Sequence, residues 1–215
     1  MIIEKSPLDK LSFSIKCILD RVVAAIALLI FSPVILIVAI AIHIRMGSPV
    51  VFTQARPGKY SRIFNVYKFR TMTDDRDADG NLLPDTQRLT SLGKFLRKTS
   101  LDELPQLWNV VRGEMSFVGP RPLLPRYLPY YSDREKKRHN VVPGITGLAQ
   151  INGRNNLPWD ERLALDVEYV ENWSLFLDLK ILVKTVAKVL LRESVAVAPS
   201  EILKDLDDER KQSHR

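Results

Sequence analysis

Apolar positions are unevenly spread along this chain. Val22 to Ile42 is almost wholly apolar, with Ser32-Pro33 near its middle. Unbroken, about 21 helical residues rising about 1.5 Å each would just cross a hydrocarbon core about 30 Å thick. A proline there removes a backbone donor and clashes with the preceding turn, so each half would reach only mid-bilayer. Pro33 frees the carbonyl of Leu29, and the Ser32 hydroxyl can bond a carbonyl one turn back. Lys5, Lys10, Lys16 and Arg21 precede the run; His43, Arg45, Arg56, Lys59 and Arg62 follow it. Cytoplasmic flanks of membrane segments are rich in Lys and Arg, and here both flanks are basic. A helix-break-helix that enters the membrane and returns to the same side fits this better than the alternatives. Those are one kinked span, a cleaved signal peptide with a site near Ala39-Ile40-Ala41, and a buried core helix.

Downstream the periodicity changes. Pro49 to Gln54 and Ile63 to Phe69 alternate and are β-rich, and Pro57-Gly58 supplies a turn, which predicts a hairpin or neighbouring strands. Thr73 to Pro84 reads as a polar loop, Thr86 to Lys98 and Leu101 to Val111 as helices, and Arg126 to Asn140 as a charged helix. Pro143 to Gly153 has little periodic signal and reads as loop. Pro158 to Val170 predicts a helix with Asp160 and Glu161 at its positive end. In a last helix, Leu175 to Arg192, Lys180, Lys184, Lys188 and Arg192 form one basic stripe on an otherwise apolar surface. Such a helix can lie in a membrane interface or pack on a core with one solvated face. The fold class is α+β: a re-entrant N-terminal membrane helix-break-helix, a small β-hairpin or sheet, and several helices, amphipathic interfacial ones among them. The expected boundaries are 1–48 for the membrane segment, 49–192 for a cytoplasmic domain and 193–215 for a polar tail, with Asp205 to Arg215 fraying.

The net charge of +7 asks for anionic partners: lipid headgroups, phosphorylated substrates or nucleic acid. A single cysteine, Cys17, excludes an intrachain disulfide framework, and three scattered histidines disfavour a histidine metal cage. Asp75-x-Asp77-x-Asp79-Gly80 imitates the start of a calcium loop, but Thr86 stands where that loop needs Glu. Asp77-Ala78-Asp79 also resembles the metal-binding Asp-x-Asp of nucleotide-sugar glycosyltransferases, although a solvated turn explains it as well.

Ser100-Leu101-Asp102-Glu103-Leu104-Pro105 is more specific. It reads as a helix start, with Ser100 and Glu103 as a capping box or Asp102 as N-cap. Adjacent carboxylates at a positive helix end also suit magnesium. Lys68 and Arg70 at a strand end, Arg97 just before the pair, Arg121 between two prolines and Arg154 after a glycine are candidates for holding phosphate.

These segments resemble the bacterial sugar transferase family, the small monotopic phosphoglycosyl transferases, from about Lys16 to Arg192. The resemblance rests on ordered motifs: Phe52-Thr53-Gln54-x-Arg56-Pro57-Gly58, Tyr67-Lys68-Phe69-Arg70-Thr71-Met72, Ser100 to Gln106, Met115 to Pro122, and Pro143-Gly144-Ile145-Thr146-Gly147 through Gln150 to Gly153-Arg154. It implies transfer of a phosphosugar from a UDP-sugar to polyprenol phosphate with release of UMP. It also implies Mg2+, membrane lipids and no nucleic acid as partners, and the cytoplasmic face of the bacterial inner membrane as location. By motif matching, Asp102 would be nucleophile and metal contact, and Glu103 its partner carboxylate. Arg97, Arg121 and Arg154 would hold phosphates, while Asp166 and Asp178 match acidic positions of functional interest or are helix-surface carboxylates. With the resemblance added, re-entry at Ser32-Pro33 becomes the expected topology. Two other readings stand beside it: a glycosyltransferase using Asp77 and Asp79, and a non-enzymatic basic membrane-docking module. The sugar and the oligomeric state are not legible, and a homodimer is compatible with the chain.

Overall fold

A computed structural model of the protein describes residues 7–153, 157–191 and 205–213. Helix α1 (Pro7–Met46) is uninterrupted, with Pro33 inside it. The break expected at Ser32-Pro33 therefore does not end the helix. The Leu29 carbonyl, which proline leaves without its usual donor, accepts from Ser32 Oγ at 2.8 Å. The helix is long and apolar enough to cross a membrane. Its first arm places Ala24, Ala27 and Leu28 against Leu107, Val110 and Met115. The second places Val34, Ile35, Val38 and Ile42 with Phe69 and Leu96. Leu104 packs with both arms. Between the arms, Leu29 to Pro33 are all exposed, and because this stretch exceeds the 3.6 residues of a turn, no face of the helix is covered there.

Strands β1 (Val51–Pro57) and β2 (Ile63–Phe69) form the expected antiparallel hairpin. Its register pairs Phe52 with Lys68, Gln54 with Val66 and Arg56 with Phe64. Side chains of a strand alternate between faces, so Phe52, Gln54, Arg56, Val66 and Lys68 share one face. The helix expected from Thr86 to Lys98 is two, α2 (Asp85–Arg88) and α3 (Ser91–Lys98). They are separated because Thr90 caps α3, its Oγ1 accepting from the Gly93 amide at 2.9 Å. Gly93 lies hard against the chain after β2: a Cβ there would stand 1.9 Å from the Thr71 carbonyl oxygen.

A 3-10 turn (Leu101–Glu103) precedes α4 (Gln106–Arg112), which Gly113 ends in the left-handed conformation. Strand β3 (Ser116–Val118) runs parallel to β4 (Gly144–Thr146), followed by α5 (Leu148–Asn152). Residues 143–153, expected as loop, thus contain a strand and a helix, because a three-residue strand is too short to show a period. The charged stretch 126–140, expected as a helix, folds instead as two 3-10 segments, Pro125–Tyr130 and Glu135–Asn140. Pro129 inside the first cannot donate to an α-helical ladder.

Helices α6 (Trp159–Glu171) and α7 (Leu175–Leu190) follow as expected. On α7, Ile181 is buried, whereas Phe176, Leu179, Val183 and Val186 form an exposed apolar stripe beside the exposed Lys180 and Lys184. Within the tail expected to fray, residues 206–213 are helical. They form α8 (Leu206–Ser213), whose Leu206 is fully buried with Tyr127, Tyr131 and Trp159. Asp205 accepts from the Tyr127 hydroxyl at 2.6 Å and pairs with Arg126, and Arg210 pairs with Glu135 at 2.8 Å. A charged pattern hides such a helix, because one buried leucine and four ion-pairing side chains give no amphipathic period.

Gly93→Ala is expected to destabilise the fold by about 1–3 kcal/mol through overpacking against Thr71. Thermal unfolding in detergent micelles, compared with Ala substitution at the exposed Lys94, checks this.

Candidate active site

The acidic pair sits where the hairpin, the 3-10 turn and the Pro120-Arg121-Pro122 segment meet. Neither carboxylate is a helix cap. Ser100 is left-handed (φ 56°) and makes no side-chain cap, and α4 begins only at Gln106. The capping reading of this motif is thereby corrected: the turn presents the two acids instead of using them. Asn109, fully buried, fixes α4 to β2. Its amide nitrogen donates to the Asn65 carbonyl at 2.7 Å, and its oxygen accepts from the Tyr67 amide at 3.1 Å. That contact sets the neighbouring Lys68 against the turn.

The two acids differ in environment. Glu103 accepts from Lys68 Nζ at 2.6 Å and from Arg121 at 2.9 Å. Burial alone would raise its pKa, but these two cations outweigh it and hold the carboxyl well below the usual range. Asp102 is buried, and unlike Glu103 it has neither hydrogen bond nor ion pair among the described residues. Burial, and then the adjacent charge of Glu103, push its pKa up to about 6, against the pull of Lys68, Arg121 and Arg97. The cations are thus concentrated on one acid, and the other is left as an uncommitted carboxylate.

The remaining predicted residues divide. Arg97, at the end of α3, donates from Nε to Thr71 Oγ1 at 3.1 Å. Burial lowers its pKa while Asp102 opposes that shift, which places it in the field of the pair. Arg70 is not brought to the pair. Its guanidinium donates to the Met46 carbonyl at 3.2 Å and the Met72 carbonyl at 3.0 Å, and pairs with Asp74 at 2.7 Å, tying the end of α1 to the hairpin. Asp166 is buried and acts at one remove. It binds Arg138 at 2.7 Å, and the Arg138 guanidinium donates to the Arg121 carbonyl at 2.6 Å.

Asp178 lies in another network, accepting from the Tyr169 hydroxyl at 2.7 Å and Trp173 Nε1 at 3.2 Å and pairing with Lys16 at 3.0 Å. It joins α7 to α1 and belongs to the scaffold. Arg154 lies outside the described residues. Asp77 is occupied by its own loop, Oδ1 accepting from the amides of Asp79 at 3.0 Å and Asn81 at 2.8 Å, which is the solvated turn expected of it. The acidic cluster of Asp205, Asp207 and Asp208 is distant in sequence and is met by Arg126 and Lys211.

Beside the pair is a cleft lined by Phe52, Gln54, Arg56, Val66, Lys68, Gln106, Arg121 and Pro122. Apart from Lys68 and Arg121, sequence reasoning assigned no role to any of these, although Gln54, Arg56 and Gln106 fall inside the quoted motifs. The pairing of β1 with β2 is what puts them on one face.

An unpaired carboxylate, a partner carboxylate locked by cations, and a cationic cleft beside them are the equipment of an enzyme that handles phosphate esters. Comparison with known proteins agrees. The sequence profile of the bacterial sugar transferase family matches residues 11–192, and the chain belongs to that family. It is 58% identical over 173 residues to the Bacillus subtilis (strain 168) protein named "Uncharacterized sugar transferase EpsL", covering 80% of this chain and 86% of that one. It is 41% identical to the undecaprenyl-phosphate glucose phosphotransferase of Komagataeibacter xylinus, covering 87% of this chain and 38% of that protein. It is 43% identical to the galactosyl transferase CpsE of Streptococcus agalactiae serotype III (strain NEM316), covering 82% of this chain and 42% of that protein. The match therefore spans less than half the length of the last two relatives.

The titration of Asp102 has a sign. Its folded pKa lies above the unfolded value, so this group detracts from stability as pH rises from about 4 to about 6 and stays unfavourable above that. Asp102→Asn is expected to raise the thermal midpoint at pH 7.5 in chelator-treated protein and to lose that advantage near pH 3.5. In Glu103→Gln, where the like charge is gone, Asp102 should titrate well below pH 6 by carboxyl-carbon NMR.

Proposed function

We propose that this protein transfers a phosphosugar from a UDP-sugar to polyprenol phosphate through a covalent aspartyl-phosphosugar on Asp102. The observation that carries the reading is the asymmetry of the pair: Glu103 is satisfied by two cations and Asp102 is not. A group meant only for structure would share those partners. The names of the glucose phosphotransferase and galactosyl transferase relatives support the substrate class and leave the sugar open.

In the first half-reaction an Asp102 carboxylate oxygen attacks the sugar-bearing phosphorus. The bond from that phosphorus to the bridging oxygen breaks, and UMP leaves with the electron pair. In the second, a phosphate oxygen of the polyprenol phosphate attacks the same phosphorus and returns Asp102 to a carboxylate. Division into two steps lets a water-borne and a lipid-borne substrate use one site in turn. A carboxylate approaching a diphosphate meets like-charge repulsion, which Lys68, Arg97 and Arg121 offset as charge develops. The residues also fit magnesium, since adjacent carboxylates, one of them unpartnered and pushed up by its neighbour's charge, form a donor set that a dication relieves. Asp102 and Glu103 would hold it, and it would supply Lewis-acid neutralisation of phosphoryl oxygens. Asp166 serves by positioning Arg121 through Arg138.

The membrane reading rests on α1. Both arms return to the same body, and the exposed Leu29–Pro33 stretch lies between them, which suits an apex dipping into the bilayer with both flanks cytoplasmic. The exposed stripe of α7, with Lys180 and Lys184 beside it, suits the interface. Residues 49–192 are then the catalytic domain on the inner face of the cytoplasmic membrane. The glycosyltransferase alternative loses its support because Asp77 serves its own turn.

In a panel of UDP-sugars with polyprenol phosphate and magnesium, at least one is expected to give UMP, and Asp102→Asn to reduce release by at least about 10³-fold, as loss of a nucleophile does. Full activity in that variant, or silence across the panel, defeats the reading. Tags at both termini are expected to be inaccessible from the periplasm; exposure of one would establish a single crossing.

A further inference from the structure

The cleft beside the acidic pair carries more positive charge and more donors than the protein itself uses. Gln106 is 2% exposed, and its amide Nε2, at the cleft wall, has no hydrogen-bond partner among the described residues. A buried donor left without an acceptor is destabilising, so a folded chain that keeps one has a use for it. Arg56, half-buried on the same wall, reaches only neutral acceptors: Gln54 Oε1 at 2.5 Å and the Pro122 carbonyl at 3.3 Å. Among the described residues no carboxylate pairs with it. Burial, and then the nearby Arg121 charge, lower its pKa to about 10. Lys68 and Arg121 complete the rim, and both are shared with Glu103. Of the three cations on this wall, Lys68 and Arg121 are met by Glu103, while Arg56 meets no carboxylate among the described residues and the Gln106 amide is idle.

We propose that this cleft is the subsite for the phosphate of the departing nucleoside monophosphate, with Arg56 and Gln106 as its binding residues. The proposal rests on the reading of Asp102 as nucleophile. A phosphate dianion fits the chemistry: it supplies the missing negative charge to Arg56 and an acceptor to Gln106 Nε2. Two sources of such a phosphate exist, the nucleotide and the polyprenol phosphate, and the lining favours the nucleotide. No residue of α1 contributes to the cleft, whereas a prenyl phosphate needs a path to the membrane helix. The half-exposed Phe52 ring and the Gln54 amide on the same wall offer a stacking surface and a polar edge instead. Asp102 does not line the cleft, but Lys68 and Arg121 line it and also bind Glu103 beside Asp102. A leaving group held there stands next to the nucleophile, not on it.

The test is calorimetric titration of full-length protein in detergent with UMP and, separately, with farnesyl phosphate, using wild type, Arg56→Met and Gln106→Met. Each substitution is expected to weaken UMP binding at least about tenfold, with farnesyl phosphate affinity changed less than about twofold. Gln106→Met, which removes the orphan donor, should melt no lower than wild type, so its loss of UMP affinity cannot come from misfolding. Unchanged UMP affinity in Gln106→Met overturns the proposal, as does an equal loss for farnesyl phosphate. Failure of the catalytic reading is separately visible: wild type would then release no UMP from any UDP-sugar, whatever the binding titrations give.

Discussion

Everything at the site depends on how Glu103 is neutralised. Its two cations come from different parts of the fold, Lys68 from a strand and Arg121 from a turn stiffened by two prolines. Their convergence on one carboxylate aligns the hairpin, the 3-10 turn and the Pro-Arg-Pro segment. Two further contacts hold the cations in place. Asn109 locks α4 to β2, and the buried pair of Asp166 and Arg138 grips the Arg121 backbone. Because Glu103 absorbs both partners, Asp102 stays buried, charged only at a cost, and without a hydrogen-bond or ion-pair partner among the described residues. Its raised pKa follows in part from its neighbour's charge.

How legible this was in the sequence depends on the kind of signal. The hairpin, α6, α7 and the apolar helix could be read because their periods are long enough to register. The acidic pair and Arg121 could be read from the chemistry of their residue types. Strands β3 and β4 could not, since three residues carry no period and their close approach depends on Gly119 and Gly144, whose backbones lie too near for any Cβ. Arg70 and Asp178 illustrate a different limit. Arg70 is a phosphate candidate and Asp178 an acidic position of functional interest by sequence, but sequence does not reveal which backbone carbonyls or buried lysine a side chain will meet. Arg56 and Gln106 were passed over for the converse reason: only the register of β1 on β2 and the start of α4 put them on one wall.

The proline in α1 shows how one residue can be read correctly while its effect is misjudged. Its consequence for the Leu29 carbonyl was legible, and so was the remedy by Ser32. That remedy is also why the helix continues through residue 33, where a break was expected.

The burial pattern of α1 also bears on how the molecule can be handled. Ala24 and Ile42 are completely covered, Val38 nearly so, and Lys16 is a buried cation held by Asp20 and Asp178. The long apolar helix is therefore a wall of the domain and not a detachable tether. Trimming it to obtain a water-soluble enzyme would strip two core clusters and leave the buried Asp178 carboxylate without its lysine. Replacing it with an anchor from another protein would do the same, so solubilisation has to come from the detergent or lipid disc around the helix and not from its removal.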